Sequence, residues 1–71
     1  MISTNYINMC IETINYSLKN VKQEQIFYKS LEDYLDTKEK SYFELLKNRE
    51  IYLQTKREYY LNLLKNYNKN E

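Results

Sequence analysis

The chain contains no glycine, no proline and no alanine in 71 residues, and that gap constrains its fold more than any other feature. Glycine supplies left-handed turn and cap conformations and proline pre-sets tight turns, so a many-turned β-sandwich or barrel is close to excluded. AT-rich coding accounts for part of the gap, because the nine lysines, nine asparagines and nine tyrosines have AT-rich codons. The physical consequence holds whatever its origin.

Helices are what such a composition can build. With 42% apolar and 15% aromatic residues the chain is too hydrophobic for disorder, and with 30% charge its apolar residues must be gathered on stripes. Two stripes are present. Ile7, Ile11, Ile14, Leu18 and Val21 alternate spacings of four and three, and the same frame continues through Gln25 to Tyr28 and Leu35. Gln25 is either a register-setting polar residue in the seam or a half-exposed one. Tyr42, Leu45, Leu46, Tyr52, Leu53, Tyr59, Tyr60, Leu63, Leu64 and Tyr67 form the second stripe.

Extending the first stripe unbroken would bury Glu32, Glu39, Arg49 and Lys56, which argues for a break. The polar run Asp36-Thr37-Lys38-Glu39-Lys40 is the expected site, followed by Ser41-Tyr42-Phe43-Glu44, a capping-box pattern for a new helix. The expected architecture is all-α, an antiparallel, coiled-coil-like helical hairpin in one domain. Its helices cover about 4–35 and 41–68, with a polar turn at about 36–40. A turn there sets facing residues whose numbers sum to about 77, pairing Leu35 with Tyr42, Leu18 with Tyr60 and Ile14 with Leu63. A single helix of about 100 Å, or a further break at Asn20, are the alternatives. Two helices of this size bury little core, so dimerisation or a partner protein is expected to complete a bundle.

Catalytic vocabulary is nearly absent. No histidine means no Ser-His-Asp or Cys-His pair and no histidine metal ligand; one cysteine makes no cysteine-cluster zinc site, and no glycine loop can cradle a phosphate. No enzyme activity, cofactor or metal is expected. The acidic group Glu32, Asp33, Asp36 and Glu39 reads as solvated loop charge, and Cys10, between Met9 and Ile11, as a small packing residue. The free cysteine, the lack of Lys or Arg in residues 1–18 and the lack of a long apolar run point to the cytoplasm, with no membrane span.

The expected function is non-enzymatic protein–protein interaction, as an adaptor, inhibitor or assembly factor, with itself or a larger protein as partner. Tyrosine joins a large apolar ring to a polar tip, which suits interfaces. Glu12 is the only charged side chain up to Leu18. The candidate interface is therefore Ile7, Ile11, Ile14, Leu18, Tyr52 and Tyr59. Nucleic-acid binding is the alternative, through the basic second helix at Arg49, Lys56 and Arg57, although the net charge is only +1. Size and AT-rich composition suit a phage or mobile-element protein. Residues 51–68 resemble the last helical stretch of outer-membrane efflux channel repeats, with their Tyr-Leu pairs and terminal Tyr-Asn. The likeness covers 18 of 71 residues, is one of long-helix composition, and carries over no functional residue.

Overall fold

The computed structural model describes residues 3–69, and side chains through residue 67. Its order is a first helix, α1 (Thr4–Ser30), a 3-10 turn (Glu32–Tyr34) and a second helix, α2 (Thr37–Lys69). The helices pack against each other along their length, and the described residues contain no strand. An antiparallel helical hairpin of 54 × 16 × 14 Å results.

Local hydrogen bonds explain both helix starts. The Ser3 hydroxyl accepts from the Tyr6 N–H at 3.2 Å, satisfying one of the unpaired amides at the start of α1. At α2 the Asp36 Oδ1 accepts from the Glu39 N–H at 2.8 Å, while Glu39 Oε1 accepts from the Asp36 N–H at 3.3 Å. This is a reciprocal capping box, upstream of the expected one at Ser41 and Glu44. Ser41 is instead inside the helix, its hydroxyl donating to the Thr37 carbonyl at 3.0 Å.

The turn therefore lies at residues 31–36 rather than 36–40: the outer ends of the helices fall where the sequence places them, at Thr4 and within a residue of 68, while α1 stops at Ser30 instead of 35 and α2 starts at Thr37 instead of 41. The physical reason is that Asp36 caps as well as a serine does, and the polar residues 37–40 are solvated equally well on a first helical turn. Without glycine the chain reverses with no positive φ at any described position. Leu31 (φ −110°, ψ 15°) leaves α1, the Tyr34 N–H donates to the Leu31 carbonyl at 2.8 Å, and extended Leu35 (φ −75°, ψ 135°) leads into α2.

Moving the turn moves the register. The Gln25 amide donates to the Leu46 carbonyl at 3.2 Å, the Tyr28 ring lies 5.3 Å from Tyr42 and 6.2 Å from Phe43, and the Tyr42 hydroxyl donates to Glu24 at 2.8 Å. Facing residues at this end thus sum to about 70, or somewhat less, instead of 77. A seven-residue slip is two turns, and it returns α2 to nearly the same face, within about 20°. Stripe still meets stripe, with different partners. Ile14, Leu18 and Val21 form the central core with Leu46 and Leu53, and Tyr28 and Tyr60 pack on its ends. Ile7, Leu35 and Phe43 are also buried. Gln25 is half-buried, and its bond to a carbonyl of the opposite helix favours this register over its neighbours.

Candidate functional site

A core stripe on a helix has two flanks: the residue before a core position is rotated about 100° one way and the residue after it about 100° the other way. In this hairpin the two flanks differ in chemistry. On one side Tyr6, Met9, Thr13, Tyr52, Lys56 and Tyr60 line a groove of about 390 Å³ between the helices. On the other, two grooves of about 670 and 460 Å³ share Lys22 and Ile26 and therefore run together.

The tyrosine side is widely exposed. Leu45, Tyr52 and Tyr59 follow one another at heptad spacing on α2 and are 60%, 55% and 57% exposed; Met9 and Tyr16 do the same on α1 at 65% and 69%. Heptad-spaced apolar residues pointing outward form a second seam that the hairpin itself leaves uncovered. The Tyr59 and Tyr60 rings meet edge to face at 5.3 Å, and the Lys56 ammonium lies 5.6 Å from the Tyr52 ring centre. The neighbouring Tyr52 phenol is the main reason the Lys56 pKa is raised above the usual lysine value, with Tyr60 adding to it. The Tyr60 hydroxyl pKa is raised above the usual tyrosine value, first by the neighbouring Cys10 thiol. Cys10 is half-buried beside this groove and forms no disulfide.

The interface expected from sequence is divided by the fold. Ile7, Ile14 and Leu18 are buried inside the hairpin, so they serve the chain's own core instead of offering a face to a partner. Ile11 is half-buried. For Ile14 and Leu18 the cause is simple, because Leu46 and Leu53 of α2 pack with them in one cluster. Only Tyr52 and Tyr59 remain exposed; the groove brings Tyr6 and Met9 beside Tyr52, and Leu45 continues the same α2 stripe. The overlooked signal was available as the residues flanking the stripe, Tyr6 before Ile7 and Tyr52 before Leu53.

The basic residues are regrouped as well. Arg49, Lys56 and Arg57 do not form one patch: Lys56 lines the tyrosine groove, with Arg49 one heptad before it on the same face of α2, whereas Arg57 lines the opposite groove. Cations of both helices line the grooves on that opposite side, with Lys19, Lys22 and Lys29 of α1 beside Lys47 and Arg57 of α2. Among the described residues no three His, Cys, Asp or Glu side chains converge on a possible metal position, and no helix is long and apolar enough to cross a membrane.

No protein family matches the chain, the efflux-channel repeats that residues 51–68 resemble included, and neither does any curated protein or solved structure.

Proposed function

We propose that the chain is a non-enzymatic protein–protein interaction protein that docks through its tyrosine-lined side, with a second copy of itself as occupant. The observation carrying this reading is the uncovered heptad stripe Leu45, Tyr52 and Tyr59, with Tyr6 and Met9 across the groove from Tyr52. Surface area supports it. The chain exposes 5831 Å², about 1,000 Å² more than the roughly 4,800 Å² of a compact monomer of this mass. Its radius of gyration is 16.1 Å, against about 11 Å for a compact domain of this length. A stable interface covers about 800 Å² per partner, so one dimer contact is commensurate with the excess. Two hairpins packed side to side form a four-helix bundle about a two-fold axis. In our reading the protein acts in the cytoplasm, as an adaptor, inhibitor or assembly factor encoded by a phage or mobile element; the unpaired thiol of Cys10 and the AT-rich coding support these two assignments.

Sedimentation equilibrium from about 1 to 100 μM is the test, because mass action makes assembly concentration-dependent in this range. Wild-type chain is expected at twice 8.8 kDa. The double variant Tyr52→Glu/Tyr59→Glu, with helicity retained by circular dichroism, is expected to be a monomer, because burying carboxylates in the interface is unfavourable. A wild-type chain that stays a folded 8.8 kDa monomer throughout overturns the proposal.

A further inference from the structure

The side opposite the tyrosines has a different composition and calls for a different occupant. Its two confluent grooves have an apolar floor, with buried Leu18 and Phe43 and, between them, Ile26, 69% exposed at the point where the grooves join. Lys19, Lys22, Lys29 and Arg57 stand around that floor, the Lys47 ammonium lies over the Phe43 ring at 4.4 Å from its centre, and the residues lining the two grooves include no carboxylate. Lys29 and Lys47 are engaged at the rim with Glu32 (2.9 Å) and Glu44 (3.1 Å), pairs that are solvent-exposed and readily exchanged. Lys19, Lys22 and Arg57 form no ion pair among the described residues. From Lys19 to Lys29 the lining of α1 runs ten residues, about 15 Å or three helical turns.

We infer that this groove binds an acidic amphipathic helix of a partner protein, its apolar stripe seated on Leu18, Ile26 and Phe43 and its flanking Asp or Glu residues meeting the surrounding cations. Charge complementarity chooses the acidic partner, and the apolar floor chooses a helix over a nucleic acid. A phosphate backbone is held by cations and polar donors and gains nothing from an exposed isoleucine, whereas a helix laid in a groove needs apolar anchors at its centre and charges at its margins. The inference is independent of the dimer, which uses the other side of the hairpin. The chain then has two occupied sides and can link the acidic helix to a second copy of itself.

The test uses full-length protein and a labelled 18-residue peptide, with leucines at three- and four-residue spacing on one face and glutamates flanking them, followed by fluorescence anisotropy. Binding is expected at about micromolar affinity and to weaken with salt. The Lys22→Glu/Arg57→Glu variant is expected to lose at least about tenfold, and Ile26→Asn about fivefold, since covering one side of an exposed aliphatic contributes a fraction of a full burial. All three positions are exposed, so circular dichroism and urea midpoints should stay near wild type. A single-stranded and a duplex oligonucleotide serve as competitors at about 150 mM salt and are expected to leave the peptide bound. Absence of peptide binding up to about 1 mM overturns the inference. So does binding that is indifferent to the charge reversal. An oligonucleotide that displaces the peptide and is itself insensitive to Ile26→Asn overturns it in favour of a nucleic-acid surface.

Discussion

The two sides of the hairpin flank one core and share its helices, yet one presents tyrosines, Met9 and Leu45 and the other lysines around a single isoleucine. On α1 the difference comes down to which neighbour of a core residue is considered. Tyr6 and Thr13 precede Ile7 and Ile14, whereas Asn15, Lys19 and Lys22 follow Ile14, Leu18 and Val21. A stripe described only by its apolar members hides this asymmetry. It teaches that in a two-helix protein, where most residues lie at the surface, the flanks carry as much functional information as the stripe.

The sharpest way to break the comparison is to remove what the two sides share. Leu53→Ala, in the central cluster, is expected to cost about 2–5 kcal/mol by urea denaturation, a large fraction of the stability of so small a domain. It should abolish dimerisation and acidic-peptide binding together. Loss of one with retention of the other would show that the sides do not depend on a common core.

A smaller effect is expected at the turn that sets the register of both sides. Asp36→Ala removes the acceptor for the Glu39 N–H and should cost about 1 kcal/mol, while Ser41→Ala, whose hydroxyl merely returns to the Thr37 carbonyl, should change stability by a few tenths at most. The reverse ranking would place the helix start at the downstream capping pattern, with the register slipped by two turns. Paired cysteines at positions 25 and 46, in a Cys10→Ser background, should cross-link within one chain and report the register directly.

The smallest expected effect lies in titration, where the sides should respond at opposite ends of the pH scale. On the tyrosine side the Tyr42 hydroxyl donates to Glu24, which raises its pKa above 10.0. The raised value means that this contribution is fully present below pH 10 and is lost as pH climbs through the folded-state value. On the basic side Lys29, chiefly by its hydrogen bond, lowers the Glu32 pKa below 4.5. That contribution is present above pH 4.5 and is lost as pH falls through the folded-state value. Nuclear magnetic resonance titration should find both shifts, with Glu24→Gln relaxing the Tyr42 shift and Lys29→Ala the Glu32 shift. Both groups are exposed, so the effects on stability are slight.

Much of the fold was legible in the residues, and less of the site. Ile7, Ile14, Leu18, Val21, Leu46 and Leu53 are periodic at helical spacing, and all six are buried. Which tyrosines stay outside was not legible, because Tyr28 and Tyr60 pack on the core while Tyr52 and Tyr59 do not, and the residue type is the same in every case. The basic face was missed for a related reason. Lys22 and Arg57 are 35 positions apart in the chain, and only the packing of α1 on α2 brings them to one side.

The helices and their stripes were determined by the sequence itself: apolar spacing of three and four dictates a helical face, and a chain without glycine or proline has few other structures open to it. The register was decided only by the tertiary structure. A two-turn slip of α2 presents nearly the same face to α1, so the hydrophobic pattern barely distinguishes one alignment from the next. Short-range bonds broke that near-degeneracy, with the reciprocal cap of Asp36 and Glu39 placing the turn and Gln25 reaching the Leu46 carbonyl across the seam. From that choice follows which residues meet across the hairpin, and with it the tyrosine side and the basic side.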